Sequence, residues 1–537
     1  MLRLCRALGT AAVLATASCA ATPAAAAPKL TVEGLQRPVT GFSRPLPGGG
    51  RAAVSLDLHL SDGAAVGLFD SGEADAPLTL RRKDRTLIVA AGGTKIRLRA
   101  RKLHHIEVAT TRGGLTLAVD GLTIDAVLRK PRDFSLTVQS GRVAIDSFIA
   151  TPLSDASTLL LHRLSELHAV TPPGRQPLGV GADGTLRFHR GWTRGFWAGA
   201  LWQATDITRS EVFRQWALEA TLDNFGAERA DTHDLGFMYG RSSVAGYRRL
   251  CNPGRPKAPA RTCAKLRRSA LTAADSLTAL ARTNPVAGMI PTRSATVCRG
   301  CAALDEADTI IDSMMNLSLL LWAARETPAE RGDYRDIVLR HADGVARNLV
   351  RPDGSTAQSV HVRRADGAVL LVHTHQGASD TSTWSRGQSW AIYGFADTAL
   401  QTRSPQLLDV AERAAAYVAA KDPNGLVPPY DYDAGPTAPT DTSAGVIGAA
   451  GLLLLEDACR RLDRCEGRGR QWGDLGERLL DNSLAQAGKT PPLGLLGGQV
   501  FSLGGVKTWD DRGEFVFGLD YALEAVRRCD TRCSRAR

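Results

Sequence analysis

Two aspartates occur where a carboxyl group could transfer a proton. Asp312 lies in a strongly apolar run, residues 308–322, and burial among apolar neighbours raises the pKa of a carboxyl towards that of a general acid. Asp234 follows His233 at the start of a predicted helix. Either aspartate could instead be a helix N-cap, and for Asp234 taken alone the cap is the simpler interpretation. A cap does not require apolar surroundings, so Asp312 is the stronger candidate for chemistry.

A second polar segment, residues 373–390, holds side chains that could bind a charged ligand. It contains His375, Gln376, Arg386 and Trp390, together with two glycines, just before a predicted helix. The planar guanidinium of Arg386 could clamp a carboxylate through two parallel hydrogen bonds. Trp390 follows four residues later and shares a face with Arg386 if the helix begins early. The segment therefore predicts a binding site for an acidic ligand.

A tryptophan-rich stretch, residues 191–202, offers a further candidate. Trp192 lies in a loop beside two glycines, and we expect it to be exposed enough to present a stacking surface. Trp197 and Trp202 lie five residues apart in a predicted helix, so they face different directions and are expected to pack in the core.

The elements that must position these residues are helices. After Pro152 the apolar residues recur with helical periodicity to the end of the chain, and Gly, Pro, Asp and Asn punctuate the loops. The pattern predicts an all-α (α/α)6 barrel over residues 153–537, with a funnel where the loops converge. The predicted helices are 156–170, 195–205, 209–226, 234–249, 262–283, 310–326, 331–349, 388–401, 405–420, 443–462, 471–486 and 515–528.

Residues 28–152 have a period of two, with short strands separated by Gly, Asp and Ser turns. They predict an all-β jelly-roll sandwich that resembles laminin-G or concanavalin-like modules. This region holds no Trp and only four Phe, so the pattern favours a structural role over sugar binding.

Residues 1–27 read as a secretory signal peptide, because a basic start precedes a short apolar run and an Ala-rich cleavage region. A secreted, extracellular protein is therefore expected. Residues 16–19 faintly resemble a lipoprotein box, which leaves surface lipidation as an alternative. No later segment predicts a membrane span. The formal charge of +11 is spread along the chain, so no nucleic-acid partner is predicted.

Eight cysteines follow the leader region, an even number that suits an oxidising compartment. We expect disulfides between residues 459 and 465 and between 529 and 533, and some pairing among Cys251, Cys263, Cys298 and Cys301. The last four could alternatively bind zinc, but the spacing between the first two is too wide for a zinc knuckle. No metal or other cofactor is predicted.

The four stretches around Trp192, Asp234, Asp312 and Arg386 together resemble the unsaturated glucuronyl hydrolases, glycoside hydrolase family 88. The resemblance extends over about 153–530 and includes residues 430–432, 440–445 and 513–517. It implies that Asp312 is the principal acid/base and that Asp234 is its partner. It further implies a uronate site lined by the following residues: Trp192, His233, Gln358, His375, Gln376, Arg386 and Trp390.

Three departures from the family pattern bear on substrate preference. Gln358 stands where the family commonly has His, with His361 nearby but shifted. Residues 513–515 are Gly-Glu-Phe rather than Gly-Asp-Tyr, with extra residues around Trp509. Residues 502–507 are similar to a segment that some relatives use for sulfated sugars, but Gly505 stands where Ser is expected.

The resemblance implies a hydrolase that releases a Δ4,5-unsaturated uronic acid from the non-reducing end of lyase-generated oligosaccharides. Its expected partners are unsaturated acidic oligosaccharides. Two alternatives remain: an unsaturated rhamnogalacturonyl hydrolase, and a non-catalytic carbohydrate-binding protein. The parent polysaccharide, its sulfation and the oligomeric state are not predicted.

Overall fold

A computed structural model provides the structure of this 537-residue chain. It describes residues 30–33, 38–39, 41–45, 52–68, 78–91, 94–101, 104–111, 114–119, 122–124, 133–140, 143–152, 154–181, 183–188, 191–251, 258–295, 305–328, 331–487, 498–500 and 512–536. The signal peptide, the lipoprotein-box resemblance, Cys298, Cys301, Trp509 and residues 502–507 lie outside the described residues.

The described chain forms two compact units. One combines Thr171–Ala200 with Ala217–Arg537, and the other combines the described part of Ala20–Val170 with Leu201–Trp216. The second unit thus includes the first helix after the strands as well as a short helical stretch from later in the chain. The predicted boundary between residues 152 and 153 stays a prediction.

Each predicted helix has a counterpart in the structure. The helices are α1 Asp155–Val170, α2 Arg194–Thr208, α3 Glu211–Leu222, a π-helix Gly236–Val244 that continues into α4 Ala245–Leu250, α5 Ala260–Ala281, a 3₁₀ helix Ile311–Asn316 that continues into α6 Leu317–Glu326, α7 Arg331–Leu349, α8 Ser385–Thr402, α9 Pro405–Lys421, α10 Thr442–Leu462, a 3₁₀ turn Cys465–Gly467, α11 Gly469–Ala487 and α12 Val516–Ala536.

The β-rich unit contains two antiparallel sheets. The alternation of buried and less buried residues along a strand agrees with the predicted period of two. In the strand Ala52–Leu60 the buried Leu56, Leu58 and Leu60 alternate with less buried polar residues, so one face of the strand packs inward. The strands of this unit are β1 Leu30–Glu33, β2 Pro38–Val39, β3 Gly41–Pro45, β4 Ala52–Leu60, β5 Ala65–Leu68, β6 Leu78–Lys83, β7 Thr86–Ala91, β8 Thr94–Arg99, β9 His104–Thr111, β10 Gly114–Val119, β11 Leu122–Ile124, β12 Asp133–Ser140 and β13 Val143–Pro152. One sheet has the order β1-β13-β4-β9-β10-β11, with β2 beside β13, and the other has the order β3-β12-β5-β6-β7-β8.

Two small sheets accompany the helices of the other unit. Their strands are β14 Pro177–Gly181, β15 Leu186–Phe188, β16 Glu306–Ile310, β17 Ser359–Arg363, β18 Val369–His373, β19 Gln499–Val500 and β20 Arg512–Phe515. The first sheet has the order β15-β14-β20-β19, and the second has the order β16-β17-β18. Strand β16 ends immediately before the 3₁₀ helix that contains Asp312, so this sheet positions the candidate acid.

Two disulfides lie among the described residues. One joins Cys459 to Cys465, as predicted, and the other joins Cys251 to Cys263, which is incompatible with a zinc site that uses all four of the candidate cysteines. The predicted partner of Cys529, residue 533, has no described side chain, so that pairing stays a prediction.

Among the described helices, α10 (Thr442–Leu462) is long and apolar enough to span a membrane. Within the most apolar 18-residue stretch of this helix, 89% is buried inside the fold, which is the environment of a core helix.

Candidate active site

The two candidate aspartates lie on turns that pack closely against each other. The backbone N–H of Phe237, three residues after Asp234, donates a hydrogen bond of 2.7 Å to Asn316 Oδ1. Gly236 permits this approach, because a Cβ at that position would lie 2.3 Å from the Cα of Asn316. The packing therefore joins the helix that follows Asp234 to the helix that contains Asp312.

Neither aspartate occupies the N-cap of its helix. The cap positions are Leu235 for the π-helix and Ile310 for the 3₁₀ helix, and neither makes a side-chain cap bond. Asp312 is the second residue of its helix, and the carboxylate of Asp234 accepts a 2.8 Å hydrogen bond from the Thr232 hydroxyl. Neither carboxylate therefore caps its helix through a described side-chain hydrogen bond.

The carboxyl of Asp312 is set up to hold a proton. Only 8% of the residue is exposed, and its Oδ1 atom is buried without a hydrogen-bond partner among the described residues. Burial raises the pKa of Asp312 to about 6, with a further contribution from the negative charge of Asp234, while the positive charges of His233 and Arg386 oppose the shift. A carboxyl with this pKa can act as a general acid near neutral pH.

His233 is buried beside Asp234. Its Nε2 atom lies 3.4 Å from Asp234 Oδ1, and its backbone N–H donates to the carbonyl of Thr292 at 3.1 Å. The N–H of Thr292 in turn donates to the carbonyl of Asp308 at 2.7 Å, so His233 is tied to the strand that leads to Asp312.

His341 contacts the 3₁₀ helix Ile311–Asn316, which contains Asp312. Its Nε2 lies 2.9 Å from the Ser313 hydroxyl, and its Nδ1 accepts from the N–H of Ile290 at 2.8 Å. Burial lowers the pKa of His341 to about 3, so the imidazole is neutral and acts as a fixed structural bridge.

Gln358 organises the loop that holds His375 and Gln376. Its Oε1 accepts hydrogen bonds from the Thr374 hydroxyl at 2.6 Å and from the N–H groups of His375 and Gln376 at 2.6 and 2.8 Å. Its Nε2 donates to Gln376 Oε1 at 2.9 Å. Because both ends of this buried amide are used inside the protein, the structure makes Gln358 a support for the loop rather than the predicted substrate contact.

The contacts of Arg386 differ from those predicted for a clamp on a substrate carboxylate. The residue is 1% exposed, and its Nη1 donates to Asp441 Oδ2 at 3.1 Å and to the Ser443 hydroxyl at 3.2 Å. The guanidinium also stacks on the ring of Trp384, 4.5 Å from the ring centroid. The carboxylate that Arg386 binds therefore belongs to the protein itself, in Asp441. The positive charge of Arg386 also acts on the site, because it lowers the pKa of Asp312.

Trp390, predicted to line the site, is a core residue with 0% exposure. Its ring packs on Phe237 and Tyr521, each at 5.2 Å between centroids. Trp192 is only partly buried and contacts Phe517 at 5.3 Å, so its stacking role stays a prediction.

Trp197 and Trp202 are 3% and 0% exposed, which agrees with the packing role predicted for them.

Two anchoring carboxylates were not singled out from the sequence. Asp441 is the N-cap residue of α10, and its Oδ1 accepts from the N–H of Val500 at 3.1 Å. Asp431 accepts from the N–H of Ala378 at 2.9 Å and from the Ser382 hydroxyl at 2.6 Å. Both lie in the motifs at 430–432 and 440–445. The available signals were an Asp between two Tyr residues in the first motif and an Asp between two Thr residues in the second.

Comparison with known proteins decides the family of this chain. The unsaturated glucuronyl hydrolase of Bacillus sp. (strain GL1) is 35% identical over 274 residues, which cover 49% of this chain and 67% of that protein. This chain belongs to the unsaturated glucuronyl hydrolase family. The chain is thus a member of a family of glycoside hydrolases, although no family model matches it.

Other family members and solved structures agree. An unsaturated chondroitin disaccharide hydrolase of Streptococcus pyogenes serotype M1 is 29% identical over 49% of this chain and 62% of its own length. The matched segments thus span between 62% and 67% of these two relatives.

Among solved structures, an unsaturated glucuronyl hydrolase specific for heparin superposes with a TM-score of 0.61 at 25% identity, over 70% of this chain and 96% of that one. The Bacillus sp. GL1 enzyme superposes with a TM-score of 0.58 at 28% identity, over 69% of this chain and 94% of that one. The larger unit is accordingly a helical domain of the (α/α) barrel type.

Proposed function

We propose that this chain releases a Δ4,5-unsaturated uronic acid from the non-reducing end of lyase-generated oligosaccharides. The observation that carries the proposal is the buried carboxyl of Asp312, with a pKa raised to about 6, beside the more exposed Asp234. Two carboxyl groups in different environments supply an acid and a negative charge at the same pH.

The chemistry begins at the C4=C5 double bond, which is a vinyl ether because C5 carries the ring oxygen. Protonated Asp312 gives its proton to C4, and positive charge is shared by C5 and the ring oxygen. Water adds at C5 while the Asp312 carboxylate takes up its proton, which regenerates the acid. The hemiketal formed at C5 opens to a ketone, which leaves a hemiacetal at C1. The hemiacetal then collapses to an aldehyde, breaks the bond from C1 to the aglycone oxygen and releases the aglycone as an alcohol.

Asp234 serves as the charged partner in this reaction. Thr232 and His233 hold its carboxylate in place, and its negative charge favours the protonated form of Asp312 before the reaction. The same charge stabilises the cation that develops when the proton moves to carbon.

The relatives support an acidic sugar substrate. Their names specify unsaturated glucuronyl and unsaturated chondroitin disaccharide hydrolases, and one solved relative was captured as a complex named for dGlcA-Glc-Rha-Glc. These names favour a glucuronyl over a rhamnogalacturonyl substrate.

The proposal extends to the architecture and the location of the protein. The helices form six pairs closed into an (α/α)6 barrel, and the two antiparallel sheets form a laminin-G or concanavalin-like sandwich with a structural role. The chain is secreted after removal of residues 1–27, a location that suits its two described disulfides.

The decisive experiment offers the protein lyase digests of hyaluronan, chondroitin, heparin and rhamnogalacturonan and follows loss of the ultraviolet absorbance of the double bond. We expect turnover of one or more glucuronyl digests and none with Asp312→Asn. Asp397→Asn is the matched control, because burial also raises the pKa of Asp397 but the residue is not part of the site.

Turnover restricted to the rhamnogalacturonan digest would show that the substrate is rhamnogalacturonyl rather than glucuronyl. Tight binding of unsaturated disaccharides without loss of absorbance would indicate a carbohydrate-binding protein. Near wild-type decay in Asp312→Asn would refute the assignment of the acid.

A further inference from the structure

Three histidines converge on one aspartate in the sheet formed by β16, β17 and β18. Asp308 on β16 lies opposite His361 on β17. His373 on β18 lies opposite Ser359, which precedes His361 by two residues on β17. Because side chains alternate between the faces of a strand, Asp308, His361 and His373 share one face of the sheet. His375 follows just beyond the end of β18. We refer to Asp308, His361 and His373 as the histidine cluster.

The polar atoms of the histidine cluster point at one another. Asp308 Oδ1 lies 3.3 Å from His361 Nε2 and 3.6 Å from His373 Nε2. Both ring nitrogens are buried, and neither has a hydrogen bond of acceptable geometry among the described residues. Buried polar atoms are almost always hydrogen-bonded, so two such nitrogens facing one carboxylate oxygen call for a further partner between them.

The spacing of these atoms fits a small divalent ion. The ligand atoms of all three residues lie within 4.8 Å of one another. Tetrahedral Zn²⁺ binds nitrogen and oxygen at about 2.0–2.2 Å, which places its ligand atoms about 3.3–3.6 Å apart. The two observed separations from Asp308 Oδ1 match the edges of such a tetrahedron.

Outer contacts also resemble those of a metal site. The other ring nitrogen of His361, Nδ1, lies 3.6 Å from Glu306 Oε2, an arrangement that orients the Nε2 atom towards a metal. The hydroxyl of Ser359 donates to Asp308 Oδ1 and fixes the rotation of that carboxylate. His375 Nε2 lies 3.4 Å from the other oxygen, Asp308 Oδ2, on the more exposed side of the cluster.

We propose that Asp308 Oδ1, His361 Nε2 and His373 Nε2 bind one Zn²⁺ ion, with a water molecule or His375 in the fourth position. Imidazole donors favour Zn²⁺ over the oxygen-binding ions Mg²⁺ and Ca²⁺. The ion has a positioning role, because it joins β16 to β17 and β18 where β16 leads into the helix of Asp312. Through Thr292, the backbone of Asp308 is also linked to His233.

The test uses the full chain without a histidine tag, treated with chelator and then dialysed. Calorimetry with Zn²⁺ alone is expected to show about one tight site per chain, and bound Zn²⁺ is expected to raise the melting temperature. Replacement with Co²⁺ is expected to give visible absorption bands of tetrahedral coordination. The combined variant His361→Gln/His373→Gln is expected to lower the affinity at least about a hundredfold, since a metal site is weakened by about 10–100-fold even when only an outer partner is removed.

The matched control is His162→Gln, which changes a histidine that also contacts a carboxylate, Glu166, but belongs to no group of three metal-binding side chains among the described residues. We expect the control to bind Zn²⁺ as the unchanged chain does. Circular dichroism verifies that the variants are folded, and Asp308→Asn provides a second test that keeps side-chain size.

Equal Zn²⁺ affinity of the unchanged chain and of the combined variant overturns the proposal. The Co²⁺ spectrum provides a result that needs no variant, because an octahedral aquo-type spectrum in the unchanged chain also overturns it. The test is independent of the proposed activity, since every readout measures the metal.

Discussion

Phe237 and Asn316 are joined by a hydrogen bond of 2.7 Å from a backbone N–H to a side-chain oxygen. The bond is buried, and it connects the turn after Asp234 to the turn after Asp312. Asn316 also donates to the carbonyl of Asp312 at 3.4 Å, so one side chain reaches both turns. The relative position of the two carboxyl groups therefore depends on a residue that is itself no acid or base.

We expect Asn316→Ala to lower kcat by about 10–100-fold, because small displacements of a catalytic group are costly even when the group is intact. Leaving the N–H of Phe237 buried without a partner should also reduce the free energy of unfolding by about 1–3 kcal/mol. Steady-state kinetics and chemical denaturation measure the two effects. The control is Asn348→Ala, which removes a similar side-chain bond to a helix carbonyl, that of Gly344. An equal loss of kcat in the control would argue against a positioning role for Asn316.

The activity should fall as the pH rises through about 6, because Asp312 must be protonated to act as an acid and burial raises its pKa to about that value. The pH profile of kcat/KM is the measurement. Removing the positive charge of His233 in His233→Gln should move the alkaline limb to higher pH, since that charge lowers the pKa of Asp312. An alkaline limb that stays in place in this variant would contradict the assignment of the limb to Asp312.

The same carboxyl should make stability depend on pH. Its pKa is higher in the folded chain than the ordinary value of 3.8, so the folded state binds the proton more tightly. The tighter proton binding stabilises the folded state. This stabilisation is fully present below about pH 4 and is lost as the pH rises through about 6. The difference corresponds to about 3 kcal/mol at most. Asp312→Asn, which cannot ionise, should therefore raise the melting temperature more at pH 8 than at pH 4. Equal shifts at both pH values would contradict the raised pKa.

Much of the scaffold was predictable because it depends on local sequence. The helical periodicity after Pro152 located the helices within a few residues, and the pair Cys459–Cys465 is close in sequence. The apolar neighbours of Asp312 also predicted its burial, which is the physical cause of its raised pKa.

The site residues that differed from prediction depend on distant partners. Arg386 and Trp390 lie on α8, in which almost every residue is buried, so the helix has no polar face to reveal which side chains meet a ligand. The partner of Arg386, Asp441, is 55 residues away along the chain. The histidine cluster was missed for the same reason, since its members are neighbours across strands rather than along the sequence.

Arg386 and Asp441 should behave as a buried structural pair. Arg386→Met leaves the carboxylate of Asp441 buried without its cation, so the free energy of unfolding should fall by about 3–5 kcal/mol. Asp441→Asn should be similarly costly, and the double variant should lose less than the sum of the two. Denaturant unfolding of all four proteins measures this coupling. A stable Arg386→Met protein with only a raised KM would instead restore the predicted clamp for the substrate carboxylate.

Gln358 offers a test of how the loop at His375 and Gln376 contributes to binding. Gln358→Ala removes the acceptor of three hydrogen bonds from that loop, so the loop should lose its fixed position. We expect KM to rise by at least about fivefold, which corresponds to about 1 kcal/mol or one buried hydrogen bond, while kcat changes less. The control is Gln401→Ala on α8, whose side chain contacts Asp397 rather than the loop. A kcat that falls with KM unchanged would show that the loop acts on the reaction itself rather than on substrate binding.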